Sequence, residues 1–275
     1  MPSGTLYIVA TPIGNLEDIT LRALRVLREA DLIAAEDTRH TQILLNHHGI
    51  RTPLTSYHEH NEKTKARQLV QRLERGENIA LVSDAGTPGV SDPGFRLVTE
   101  AIAAGIRVAP VPGASAVIAA VSASGLPTDR FIFEGFLPAR KKERRERLQD
   151  LRDETRTLVF YEAPHRLRES LGDISEVLGD RQIVLAREVS KVHEEFMRGR
   201  VSEVIRELPQ RQIVGEITLL IKGSSGESQP SEDLLKAEIA TLKKKGMRIK
   251  EIADSLGEKY GFSKKKIYRL ALEEE

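Results

Sequence analysis

The amino-acid sequence predicts an α/β protein: two successive α/β units followed by a small basic helical domain. Three observations carry that prediction. Apolar runs of strand length alternate with stretches of helical period through the first 120 residues. A second alternating series opens near Pro127. Beyond Lys222 the composition shifts to a Gly/Ser-rich tether and then to a lysine-rich helical pattern. The expected domains are residues 1–126, 127–222 and 234–275, with 223–233 as the linker.

In chain order, Thr5 to Ala10 reads as a strand and ends in the turn Thr11-Pro12-Ile13-Gly14-Asn15. Leu16 to Ala30 has helical spacing, with Ile19, Leu24 and Leu27 among its apolar positions. Leu32 to Ala35 is a second strand, closed by Glu36-Asp37-Thr38-Arg39. Helix Thr41 to His48 stops at Gly49 and helix Thr64 to Arg75 at Gly76, where glycine favours a C-cap. Strand Ile79 to Ser83, helix Phe95 to Ala104, strand Ile106 to Val111 and a helix of small residues up to Ser124 complete the first unit. Such alternation implies a mostly parallel sheet with functional loops at the strand C-termini. In the second unit Arg130–Phe136, Thr157–Tyr161, Gln182–Arg187 and Glu216–Lys222 read as strands, and Leu167–Leu178 as a helix. Glu195 to Gly199 leads into helix Val201–Leu208.

Composition narrows the class. Leu, Ile, Val and Ala must build the core, because aromatics are only 4% of the chain and tryptophan is absent. The lack of cysteine excludes disulfides, thiolate zinc sites and cysteine nucleophiles. No apolar run approaches a membrane span, and the apolar start at Leu6 to Ile13 lacks a basic flank and is broken by Pro12. A cytoplasmic protein without a membrane partner is therefore expected. His47-His48 and His58-Glu59-His60 are close in sequence, but no third ligand stands at a characteristic spacing, so no metal site is expected. Asn61 is expected in a loop near the substrate entrance.

The most informative segment is Ile79 to Gly94. An apolar strand ends in Ser83-Asp84, and Gly86, Pro88, Gly89, Pro93 and Gly94 follow, with Ser-Asp repeated at Ser91-Asp92. Glycine lets backbone approach a ligand closely and proline stiffens the loop between those points. A long structural turn is the plainer interpretation; three further loops of similar character favour a ligand site. The first loop lacks the Gly-x-Gly-x-x-Gly fingerprint, having only Gly14, which argues against a dinucleotide site.

The segments Val9–Leu16, Ala35–Arg39, Ser83–Gly94 and Val111–Ala116 together resemble the tetrapyrrole-methylase superfamily. Phe133–Pro138, Phe160–Arg166, Arg187–Lys191 and Gly215–Leu219 resemble a narrower group within it. That group comprises bacterial small-subunit rRNA methyltransferases acting on the ribose 2′-hydroxyl of a decoding-centre cytidine. The resemblance runs from about Leu6 to Lys222, and it is the ordered set that is specific. It implies a two-domain tetrapyrrole-methylase-like fold with a cleft between the domains, S-adenosyl-L-methionine as donor, 16S rRNA or the small ribosomal subunit as partner, and a homodimer. It also implies that Pro12, the loop bearing Asp84, Gly86, Pro88, Val90, Ser91 and Asp92, and the turn of Gly113, Ser115 and Ala116 line the cofactor site. Tyr161, Ala186 and Thr218 would flank the adenine.

A ribose hydroxyl is a poor nucleophile while protonated, so a nearby carboxylate or lysine would help remove its proton, with positioning alone as the alternative. Glu36 and Asp37, beside a possible phosphate contact at Arg39, form the expected catalytic cluster; an Arg–carboxylate structural pair is the alternative. Glu162 and His165-Arg166 are a second candidate group, divided between RNA contact and domain pairing. The run Arg140 to Arg147 has the mixed signs of a solvated helix face, with Arg140 and Lys141 available to phosphates. In the tail, Ile249–Leu256 and a helix opened by Ser263 resemble a helix-turn-helix, placing Lys264, Lys265, Lys266 and Arg269 toward RNA. A small bundle with a solvated basic face remains the alternative, and Glu273 to Glu275 reads as a solvated tail. Three functions stay open: the rRNA methyltransferase, a methyltransferase of small tetrapyrroles, and a non-catalytic nucleic-acid-binding protein.

Overall fold

The computed structural model describes residues 2–208, 213–225, 232–260 and 262–273. Residues 226–231 of the expected linker and 274–275 of the expected tail lie outside the described residues. The chain divides into two compact units, one ending at Ala119 and including Glu188–Glu194, the other holding the rest. The boundary expected at 126/127 lies just beyond the helix in which this division falls.

The first unit is a five-stranded parallel sheet. Its strands are β1 (Thr5–Val9), β2 (Leu32–Ala35), β3 (Leu54–Ser56), β4 (Ile79–Val82) and β5 (Arg107–Val111), in the order β3-β2-β4-β1-β5. Period-two alternation assigns the two faces. Leu6, Leu32, Ala34, Ile79 and Leu81 pack against helices α3 (Glu62–Glu74) and α4 (Phe95–Ala103). Val9, Ile33, Ala35, Ala80 and Val82 face α1 (Leu21–Glu29) and α2 (Thr38–His47). Both faces are covered, which is why β2 and β4 are buried at every position.

Three details differ from the sequence reading. The helix expected over Leu16–Ala30 is a 3-10 turn, Leu16–Asp18, and then α1, because Thr20 accepts from Ala23 N–H and starts a new helix. The helix expected from Thr41 begins at Thr38, with Asp37 as its N-cap. Strand β3 was not expected: it is only three residues long and half-buried, so it carries little hydrophobic signal.

In the second unit α5 (Ala116–Ser124), shared across the division, leads into a mixed sheet. The strands β6 (Phe131–Phe136), β7 (Thr157–Glu162), β8 (Gln182–Arg187), β9 (Glu195–Arg200) and β10 (Ile217–Ile221) stand in the order β6-β7-β10-β8-β9. Among the described residues β6–β7 is the one pair of neighbours that is parallel; the other three pairings are antiparallel. One face packs on α6 (Lys141–Asp150), α7 (Leu167–Leu178) and α8 (Val201–Glu207) through Leu148, Phe160, Leu171, Leu185, Val204 and Leu219. Helices α9 (Glu232–Lys244), α10 (Ile249–Tyr260) and α11 (Lys264–Glu273) share a core of their own, centred on Leu235, Ile239, Ile252, Leu256, Ile267 and Leu270.

Candidate active site

Because all five strands of the first sheet run parallel, their C-terminal ends lie along one edge. The register pairs Ala35 with Val82 and Val9 with Val111, so the loops carrying Glu36, Asp84, Thr11 and Gly113 leave the sheet at one level. The connections from β1 and β4 depart in opposite directions, to β2 and to β5. Such a reversal is where an open α/β sheet holds a ligand.

Hydrogen bonds knit these loops together. Thr11 and Gly86 exchange backbone bonds of 2.8 and 3.1 Å. The Thr11 hydroxyl, buried, donates to the Ser83 carbonyl at 3.2 Å. Thr87 Oγ1 donates to the Ala114 carbonyl at 3.4 Å, tying in the turn after β5. Asp84 Oδ1 accepts from the Asp37 N–H at 2.9 Å, and Asp84 N–H points back to Glu36 Oε2 at 3.4 Å. Gly113 packs so closely on Ala10 that a Cβ there would lie 2.9 Å from the Ala10 Cβ. Gly86 and Gly89 have φ of 80° and 82°, and Ser91 takes φ 63° despite its side chain, so the loop is held in a conformation few residues favour.

The sequence-derived residues of this unit therefore converge, with unequal roles. Pro12, Gly86 and Pro88 are buried beneath the loop surface, Asp84, Asp92, Ser115 and Ala116 are half-buried, and Val90, Ser91 and Gly113 are exposed. Glu36 is half-buried, and its carboxyl is raised above the ordinary 4.5, first by desolvation and then by the neighbouring Asp92 charge. Asp37 spends its side chain as the N-cap of α2, accepting from Arg39 N–H at 2.7 Å. Arg39 is exposed in the first turn of that helix. Ser91 and Asp92 line a groove of about 590 Å³ together with Glu59, Glu62, Phe95 and Arg96; the sequence marked its Ser91–Gly94 wall but not Glu62 or Arg96. Asn61 closes the preceding loop, its Oδ1 accepting from His58 N–H at 3.0 Å. Among the described residues no three His, Asp or Glu side chains converge as metal ligands would.

In the second unit Tyr161, Thr218 and Ala186 are direct cross-strand neighbours on β7, β10 and β8. The row extends to Phe136 at one end and Phe196 at the other. Residues opposed in this way point to the same face, so the three expected adenine contacts share one surface. Phe133 and Phe136 pack on the Tyr161 ring at centroid distances of 5.0 and 5.4 Å.

The remaining basic residues divide sharply. Arg166 pairs at 3.1 Å with Glu162, which is fully buried and also accepts from Ala163 N–H and Ser170 Oγ; His165 beside it is exposed. Arg140 and Lys141 are exposed at the start of α6. The expected solvated face of that helix is interrupted by Arg144, which is 1% exposed and joins Asp173 of α7 at 2.7 Å. In the tail Lys264 meets Asp254 at 2.7 Å and Lys266 lies 4.4 Å from the centre of the Phe262 ring, while Lys265 and Arg269 are exposed on α11.

Comparison with known proteins identifies the family. Residues 5–205 match the model of the tetrapyrrole (corrin/porphyrin) methylases, and the chain belongs to that family. It is accordingly a methyltransferase. It is 50% identical to the ribosomal RNA small subunit methyltransferase I of Pseudomonas aeruginosa over 286 residues, covering 99% of this chain and 98% of the relative. The protein of the same name from Thermotoga maritima is 52% identical over 220 residues, which are 80% of this chain and 99% of that relative. The crystal structure of uroporphyrin-III-C-methyltransferase from Thermus thermophilus superposes with a TM-score of 0.57 at 23% identity, covering 80% of this chain and 94% of that one; at this identity it establishes the fold.

Proposed function

We propose that the protein transfers a methyl group from S-adenosyl-L-methionine to the ribose 2′-hydroxyl of a cytidine in 16S rRNA. The observation that carries this reading is the near full-length similarity to small-subunit rRNA methyltransferases, taken together with the knitted loops at the sheet edge. S-Adenosyl-L-methionine, when bound, supplies a methyl already activated by its sulfonium. The chain's residues then have to bind, orient and deprotonate. Asp84 and Asp92 offer acceptors for an ammonium group or ribose hydroxyls. Exposed backbone at Gly113 and around Ser91 offers further polar groups, with Pro12, Gly86, Pro88, Val90, Ser115 and Ala116 shaping the loops around them. In the second unit the row of Tyr161, Thr218 and Ala186 is the one proposed for the adenine, with Tyr161 half-buried and Thr218 and Ala186 buried.

Glu36 is the proposed base. A carboxyl raised by burial is a better proton acceptor than an exposed one, and it reaches the 2′-hydroxyl's range more closely. Asp37 acts at one remove, holding α2 and Asp84 in place, and Arg39 offers a cation to the RNA backbone. Arg140, Lys141 and His165 are exposed and suited to phosphate contacts, whereas Arg166 keeps its buried partner Glu162. A homodimer working in the cytoplasm belongs to the same proposal. Among the described residues no helix is long and apolar enough to cross a membrane.

The test is to incubate the protein with methyl-labelled S-adenosyl-L-methionine and, in parallel, small ribosomal subunits, naked 16S rRNA and a uroporphyrinogen. Label in RNA supports the proposal. Label in the tetrapyrrole alone would transfer the protein to the small-molecule branch of its family.

A further inference from the structure

We infer that helices α9–α11 form an accessory phosphate-binding module that raises affinity for the RNA and takes no part in methyl transfer. The inference rests on the proposed RNA substrate. Four observations carry it.

The three helices bury their own apolar core, which includes Leu235, Ile239, Ile252, Leu256, Ile267 and Leu270. They are reached through residues 226–231, after the chain has completed β10 and anchored its exit: Ser224 N–H donates to the Glu154 carbonyl at 2.6 Å. The catalytic body thus has a defined end before the module starts.

The module's charge is one-sided. Between 232 and 273 there are eleven basic and seven acidic residues. On α11 the buried positions Ile267, Leu270 and Ala271 form one stripe, and Lys265 and Arg269 lie opposite it with Lys266 flanking. α10 and α11 are joined through only 261–263, the spacing of a helix-turn-helix, and Ser263 Oγ accepts from Lys266 N–H at 3.3 Å to start the exposed helix. A basic face of this kind meets phosphates without reading sequence.

The fourth observation separates affinity from chemistry. The Thermotoga maritima relative is matched over 99% of its length by 220 residues of this chain. Those 220 residues are 80% of this chain, so the relative falls short of it by about a fifth, close to the share that residues 226–275 make up. A protein bearing the methyltransferase name is thus shorter than this chain by about the length of the tether and α9–α11. In this chain the module adds binding to a body that already holds every residue proposed for catalysis.

The experiment compares three proteins: the intact chain, the chain ended after Ser225, and an intact K265Q/K266Q/R269Q variant. Filter binding of naked 16S rRNA and steady-state methyl transfer to naked rRNA and to assembled subunits are measured from low to high KCl. Thermal melting and S-adenosyl-L-methionine binding confirm that each body is folded. We expect kcat within about two-fold of the intact chain, KM and RNA Kd raised about ten-fold, and the slope of log Kd against log salt reduced by about two for the triple variant. A K265R/K266R/R269K variant should restore both.

Loss of kcat at saturating RNA in the folded triple variant would overturn the inference by placing the module in the chemistry. Unchanged Kd and salt slope in both altered proteins would also overturn it. So would a KM increase confined to assembled subunits, which would mark a ribosomal protein as the partner. If the intact chain binds RNA with the expected salt slope but methylates none, the proposed activity fails while the module's role stands. Should the shortened chain not fold, the triple variant alone decides.

Discussion

The backbone N–H of Asp37 donates to the Asp84 carboxylate at 2.9 Å, joining the loop after β2 to the loop after β4. The return contact, Asp84 N–H to Glu36 Oε2 at 3.4 Å, closes a small polar ring at the C-terminal edge of the sheet. Glu36 is held there among acidic neighbours because the backbone, not a cation, satisfies Asp84. The Arg–carboxylate pair that stood as the alternative at Arg39 is not what organises this cluster: Arg39 contributes its backbone N–H to Asp37.

Asp84→Ala removes the acceptor and leaves the Asp37 N–H without it. A loss of about 1–2 kcal/mol in stability is expected, with at least a ten-fold fall in affinity for S-adenosyl-L-methionine. Asp84→Asn keeps an acceptor oxygen and should recover most of the stability but not the affinity. Urea denaturation and calorimetric titration read the two effects separately.

Glu36→Gln tests the base. Its folded carboxyl lies above the ordinary 4.5, so the charged form is disfavoured in the fold. Wild-type stability from this group is full below 4.5 and declines as pH rises through the raised value. Glu36→Gln removes that penalty, and the variant should match the wild type in acid and exceed it at neutral pH. Methyl transfer should fall at least 100-fold, and the rising acid limb of the wild-type rate profile should vanish. Melting and rate profiles between pH 4 and pH 8 check both.

Gly113→Ala places a Cβ 2.9 Å from that of Ala10. The turn after β5 must then move away from the loop after β1. Overpacking of this kind costs about 1–3 kcal/mol, and a matching loss of cofactor affinity is expected from titration of the variant.

Arg144→Ala leaves Asp173 buried without its principal cation. Breaking such a pair costs about 3–5 kcal/mol, whereas Arg140→Ala at the exposed start of the same helix should change stability by less than about 0.5 kcal/mol. Denaturant midpoints of the two variants test the contrast.

The proposed site was legible where glycine, proline and carboxylates cluster after apolar runs. Thr11, Asp84 and Gly113 could be placed at strand ends because a strand and its loop announce themselves locally. The alignment of those ends follows from a parallel sheet, itself readable from the alternation of elements. What pairs with what was less visible. Tyr161, Thr218 and Ala186 form one row only because β10 inserts between β7 and β8, an order that no local pattern encodes. Arg144 looked like any member of a charged run; its burial depends on Asp173 of α7, twenty-nine positions away. Strand β3 escaped because three half-buried residues carry too little periodicity. Asp37 was recognised as important but not as a helix cap, since its role is defined by where α2 begins.

The most direct measurement of the central claim is the position of the methyl group. Small-subunit RNA methylated by the purified protein would be subjected to alkaline hydrolysis and primer extension. One cytidine is expected at which the backbone resists alkali, with that protection absent from RNA treated with the Glu36→Gln variant. Label confined to a base, with every phosphodiester still alkali-sensitive, would contradict methyl transfer to a ribose 2′-hydroxyl.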